Sequence, residues 1–303
     1  MTAQMTAQTK KEAVQLTLLS SILGADFPLA LERQKAAGIR FLDLKDGLWG
    51  KTVERLEPRE AERAAALCRE YGMAVHCFST SIGHTALEPG TNEAAFRGRH
   101  DPALENALRA AETLRPQVVR LLAPRLSPDR DGETAFERLL REFPWAVGVY
   151  RDWADQVAAA GFGVLIENEA KGCVLGTAAD VLGFFDALDR PASAVRYTWD
   201  VQNLWQSGTF PTLDVYRELR PLIGAVHLKG GRAGDDGVTL EWAAPLEEAS
   251  WPVLDVVRAA VADGEVRFVC LNPSHGTKPP GWDVWEVAQR DLAFLRREIP
   301  EVA

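Results

Sequence analysis

Residues 164–172 read VLIENEAKG, residues 196–203 read RYTWDVQN and residues 225–232 read AVHLKGGR. Each stretch opens on a short apolar or β-branched run and breaks into polar residues, and neighbouring stretches stand about 30 residues apart. Runs this continuous, without in–out alternation, suit the strands of a parallel sheet covered on both faces. The three runs are Val164–Ile166, Val195–Trp199 and Ile223–Leu228, and five more share the pattern: Leu16–Ser20, Ile39–Leu44, Met73–Phe78, Val118–Leu122 and Val266–Leu271.

The segments between them carry helix signals. Asp26-Phe27-Pro28 reads as an N-cap with proline in the first turn, and Gly38 as the stop. Val253, Val256, Val257, Ala260 and Val261 form an apolar stripe that ends at Gly264, and Trp285, Ala288, Leu292 and Leu295 repeat it near the C-terminus. A doubly wound open sheet is the alternative, but no run leads into a G-x-G-x-x-G turn, and Gly161-Phe162-Gly163 precedes a run instead of following one. Eight βα units predict a single (β/α)8 TIM barrel over residues 16–303. Residues 1–15, MTAQMTAQTKKEAVQ, are expected to be a disordered polar tail; without the apolar core of a secretory signal they suggest a cytoplasmic protein.

Composition narrows the partners. The chain of 303 residues is 47% hydrophobic and 25% charged, with 34 Lys and Arg against 43 Asp and Glu, a formal charge of −9. That acidity lacks the electrostatic footprint of a nucleic-acid binder. No apolar run approaches a membrane span. Cys68, Cys77, Cys173 and Cys270 form no C-x-x-C pair and read as reduced, buried apolar residues.

A barrel of this kind carries its chemistry at the C-terminal ends of its strands. The runs end in Asp43, Lys45 and Asp46; in His76, with His84 beyond it; in Arg120; in Glu167, Asn168 and Glu169; in Asp200 and Asn203; in His227, Lys229 and Arg232; and in Asn272 and His275. Glu167, Asp200 and His227 close three consecutive strands, so neighbouring staves would bring them to one mouth. Two carboxylates and an imidazole suit one divalent cation, Mn²⁺, Mg²⁺, Co²⁺ or Zn²⁺. Each could instead be an isolated loop-capping residue.

The ordered set IENEAKG (166–172), WDVQNLWQSG (199–208) and VHLKGG (226–231) resembles the xylose isomerase-like TIM barrels. This is the sugar phosphate isomerase/epimerase group that also includes endonuclease IV. The resemblance implies one metal held by Glu167, Asp200 and His227, with Asn272 where the group usually has a fourth, glutamate ligand. It implies a small sugar or sugar phosphate as partner, and a homodimer is common in the group. Two further departures are Glu169, where a histidine often follows Glu-Asn, and Gly230, where an aspartate often follows His-Leu-Lys.

The implied reaction is a metal-dependent isomerisation by proton abstraction next to a chelated carbonyl, with Glu167 as ligand and base. Asn272 cannot move a proton, which disfavours a two-base epimerase. A keto-polyol dehydratase or lyase, an epimerase on the same scaffold, and a barrel that has lapsed into sugar binding stand as alternatives. Lys229 is a candidate to steady an alkoxide and His275 to donate a proton. His76, Arg120, Asn203, Trp205 and Arg232 are candidate substrate contacts, with a satisfied, half-buried histidine the alternative for His76 and pairing with an interior acid the alternative for Arg120; Trp49 and Trp242 are candidate stacking rings. Abasic-site nuclease chemistry draws on many histidines; the chain has five, with asparagine at 203 and no D-x-H, so nucleic acid is not an expected partner.

Overall fold

The computed structural model describes residues 13–126, 133–170 and 172–302. Its centre is a ring of eight strands: β1 Gln15–Leu18, β2 Phe41–Leu44, β3 Ala74–Ser79, β4 Val118–Leu122, β5 Gly163–Glu167, β6 Val195–Asp200, β7 Ile223–Leu228 and β8 Phe268–Leu271. Every ladder in the ring is parallel, running from β2 through β8 to β1. Between β1 and β2 a single bridge, Leu19 to Asp43, closes the circle. The Ser20 hydroxyl reinforces that seam, accepting from Lys45 N at 2.8 Å and donating to Asp46 O at 2.5 Å. The expected (β/α)8 architecture is therefore the observed one.

The N-terminal boundary shifts. Val14 bridges Val302 and is buried, and Gln15 already pairs with Phe268, so both belong to the barrel. Residues 1–12 of the expected tail lie outside the described residues.

Helices wrap the ring in the expected order. Asp26 Oδ1 accepts from Leu29 N at 3.2 Å and opens α1, Phe27–Ala36; such a cap is worth about 1 kcal/mol. The stripe at 253–261 lies on Val253–Asp263, ended by Gly264 at φ 73°, and the last stripe on Val284–Glu298. The main core lies between strands and helices and includes Val164, Ile166, Tyr197, Trp199, Val226 and Leu228. Alternate residues face into the ring, where Cys77, Leu165 and Ala225 form a small apolar plug. Two positions further along these strands come Ser79, Glu167 and His227, so the strand period places polar groups above the plug.

Candidate active site

Asp200 is fixed twice over. It is the last residue of β6 and also the N-cap of the short helix Val201–Gln206. Its Oδ1 accepts from Gln202 N at 3.1 Å and Asn203 N at 2.9 Å, which turns Oδ2 toward Lys229 Nζ at 2.8 Å. Lys229 also donates to Asn203 Oδ1 at 2.8 Å and meets His275 Nε2 at 2.7 Å, so its three protons all have acceptors. Below the turn, the buried Asn168 amide accepts from Tyr197 OH at 2.7 Å and Asp200 N at 2.9 Å, locking β5 to β6.

The trio read from the sequence converges. Ligand-type atoms of Glu167, Asp200 and His227 all lie within 4.8 Å of one another. His227 Nδ1 stands 3.0 Å from Glu167 Oε1 and 3.0 Å from the Asn272 amide, which also reaches Asp200 Oδ2 at 3.4 Å. Nδ1 cannot donate to the carboxylate and accept from an amide N–H at once. The oxygen and nitrogen of an asparagine are interchangeable by a flip. With its oxygen inward, Asn272 joins Glu167, His227 and Asp200 in a set of lone pairs whose neighbours stand 3.0–3.4 Å apart. Ligands about 2.1 Å from an octahedral ion have neighbours about 3.0 Å away. The residues fit a divalent cation.

Behind the trio, His227 Nε2 faces Asp43 Oδ2 at 3.6 Å, and Asp43 Oδ1 accepts from Ser79 Oγ at 2.5 Å. A carboxylate behind the distal ring nitrogen holds the proton there and leaves Nδ1 free to ligate. The sequence marked Asp43 as a strand-end acid but gave no reason to set it behind His227. That relation crosses the barrel and is visible only in three dimensions.

Charge is nearly balanced. Arg120 Nη1 lies 2.8 Å from Glu167 Oε2, both side chains buried, while the buried Arg120 Nε has no partner among the described residues. Burial opposes the charge on Glu167, but Arg120 and then His227 outweigh it and hold the carboxyl well below its usual range. Asp43 is likewise lowered, since bonding to His227 and Ser79 overcomes burial. Asp200 is raised, because burial outweighs the pull of Lys229. His227 is pushed up to about 9: burial opposes its charge, and Glu167 and Asp43 prevail.

The sign of that last shift gives a prediction. A ligating His227 must shed its proton, so the apparent affinity for Mn²⁺ should rise about tenfold per pH unit and level off above about pH 9. Without metal, His227 contributes stability that is complete below its unfolded pKa of about 6.5 and lost as pH rises through about 9. Calorimetric titration across pH 6–9 checks the first, and denaturant melts in chelator the second. A flat affinity profile counts against His227 as ligand.

The mouth is a cavity of about 250 Å³ lined by Lys45, Asp46, Arg120, Glu167, Glu169, Asp200, Asn203, His227, Lys229, Asn272, His275 and Lys278, among others. Three expected contacts lie away from the mouth, and Arg120, which lines it, is paired inward. His76 is the unopposed residue of a bulge between Val75 and Cys77; its Nδ1 pairs with Gln117 Oε1 at 3.0 Å and its ring stacks on Phe268, away from the mouth. Arg232 is exposed on a hairpin, Arg232–Ala233 against Leu240–Trp242. Trp205 is buried, donates to Val238 O at 2.5 Å and lines an adjoining groove instead. Arg120 is committed to Glu167, an interior acid. His275 does line the cavity, but burial and the adjacent Lys229 lower it to about 4, so at neutral pH it accepts instead of donating. Trp49 packs on Phe27 and under Arg63, and Trp242 is exposed at the hairpin's end.

The Xylose isomerase-like TIM barrel family model matches residues 31–247. The chain belongs to that family. No curated protein matches it in sequence. A probable 3-DHS dehydratase AsbF from Bacillus anthracis is similar in structure, with TM-score 0.65, 16% identity, and 93% of this chain and 98% of that one covered. A family member from Mycobacterium smegmatis in complex with magnesium gives 0.67, 16%, 95% and 96%. D-Psicose 3-epimerase with D-tagatose from Clostridium cellulolyticum H10 gives 0.66, 14%, 94% and 99%. At these identities the likeness shows the shared fold. Among the described residues no helix is long and apolar enough to cross a membrane.

Proposed function

We propose that the protein is a metal-dependent enzyme that isomerises a small polyhydroxylated carbonyl compound, a sugar or sugar phosphate. The observation carrying this reading is the convergence of Glu167 Oε1, Asp200 Oδ2, His227 Nδ1 and the Asn272 amide beneath a cavity of monosaccharide size. A divalent ion held there would act as a Lewis acid toward neighbouring carbonyl and hydroxyl oxygens, acidifying the carbon between them. Asp43 orients His227, Arg120 holds Glu167 ionised, and Lys229 neutralises Asp200, so this chain supplies a preorganised polar floor. Asn272 supplies an oxygen but no base, which favours proton transfer on one face of the carbon.

A dehydratase reading has the same first step: an enolate with a leaving hydroxyl at the next carbon eliminates water. The dehydratase and the epimerase similar in fold keep both outcomes in the test. The test is exchange of carbon-bound hydrogen with D₂O, followed by NMR, for D-fructose, D-tagatose, D-ribulose 5-phosphate, hydroxypyruvate and 3-dehydroshikimate with Mn²⁺, Co²⁺ or Mg²⁺. Metal-dependent exchange with a ketose supports isomerisation, and exchange with water loss supports dehydration. A protein that takes up metal yet exchanges none of them is a binder, and the enzymatic reading falls.

A further inference from the structure

We infer that Glu169 is the proton-transferring base of this site, an inference that rests on the enolisation reading above. Few of the carboxylates at the mouth are free to accept a proton. Glu167 is poorly suited: Oε1 faces His227, and Oε2, although it accepts no hydrogen bond among the described residues, is buried 2.8 Å from the Arg120 guanidinium, which holds it ionised. Asp200 spends Oδ1 on two backbone N–H groups and Oδ2 on Lys229. Asp43 is enclosed between Ser79 and His227. Asn272 carries no charge. The role expected of Glu167 thus divides, ligation staying with it and proton transfer passing elsewhere.

Glu169 lines the same cavity as Glu167, Asp200, His227 and Asn272 and is partly open to it. Its Oε1 is clamped by Asn203 Nδ2 at 3.0 Å and by Ala170 N at 2.8 Å. Oε2 has no hydrogen bond among the described residues. The clamp is well determined, because the Asn203 oxygen takes Lys229 Nζ and its nitrogen also donates to Asn168 O at 3.0 Å, which fixes which way the amide faces. Asn203 sits on the helix that Asp200 caps, so one turn of backbone positions a metal-type carboxylate and, through an amide, a second carboxylate with a free oxygen. A carboxylate tied at one oxygen and open at the other is aimed without being neutralised.

The step balances without any added reactant. Glu169 Oε2 takes the proton from the carbon beside the carbonyl, and the C–H pair becomes the C=C bond of an enediolate while the carbonyl π pair moves to oxygen. The same carboxylic acid returns its proton to the former carbonyl carbon. A hydroxyl proton passes between the two oxygens, leaving the isomeric carbonyl compound.

Asp46 is the competing candidate. It lines the cavity, and its Oδ1 is buried with no partner among the described residues. It belongs to the β1–β2 seam, however, and makes no bond to any of the four ligand-type residues. The experiment therefore compares Glu169→Gln, Asp46→Asn and Glu167→Gln as Mn²⁺-loaded proteins, using whichever tested ketose wild type exchanges fastest. Glu169→Gln should keep wild-type metal content and KM and lose at least about 100-fold in the exchange rate. Asp46→Asn should lose at least about tenfold less than Glu169→Gln, and Glu167→Gln should lose metal. Undiminished exchange in Glu169→Gln, or a larger loss in Asp46→Asn, overturns the assignment while leaving enolisation in place. Exchange absent from wild type overturns both readings.

Discussion

Arg120→Met lowers the stability of the metal-free protein by about 3–5 kcal/mol, the range for removing one partner of a buried ion pair. Arg120 and Glu167 are 2% and 3% exposed, so water cannot take over the role of the guanidinium. The orphaned carboxylate then has only His227 on its other oxygen. Two controls separate lost charge from lost packing. Mn²⁺ should recover part of the loss, since a cation again faces Glu167, and Arg120→Met with Glu167→Gln should recover most of it in chelator. Denaturant unfolding with and without metal measures all three. A loss under about 1 kcal/mol would mean that Arg120 is not what keeps Glu167 charged.

Asp200→Asn separates folding from metal binding. The amide retains an oxygen for the backbone N–H groups of Gln202 and Asn203, so the helix keeps its cap. What disappears is the anion facing Lys229, whose ammonium is left with Asn203 and a neutral His275. The expected cost without metal is about 3 kcal/mol. Metal affinity should fall by at least about 100-fold, the upper end of what a supporting residue costs. Adding Lys229→Met should restore folding stability and leave metal binding lost. Restored metal binding in the double variant would show that Asp200 serves only as the partner of Lys229.

The barrel was legible because its signals are local. Continuous runs such as Val118–Leu122, spaced by helical stripes, suit strands buried on both faces, and Asp26 and Gly264 mark helix ends through hydrogen bonding and positive φ. Glu167, Asp200 and His227 were legible for a related reason, since equivalent strand ends share one mouth. Relations across the ring were not. Nothing in FLDLKDG tells that Asp43 meets His227, and VVRLL does not tell that Arg120 takes Glu167. His76 reads as a strand-end residue, but β3 runs on to Ser79, so His76 lies three residues short of the mouth and stacks on Phe268 at the start of β8. Gly230 is clear only in place: a Cβ there would stand 1.9 Å from Ala244 O, so this loop has no room for the aspartate the resemblance suggests.

The seam between β1 and β2 has a consequence for how the molecule breathes. Elsewhere the ring is zipped by ladders; here one bridge and one serine hydroxyl join the ends. Asp43 stands at that closure and also behind His227, so the weakest stave of the cylinder abuts the imidazole. Fluctuations that part the first two staves would loosen the aspartate's grip on the ring nitrogen, coupling the opening of the wall to the readiness of the metal pocket.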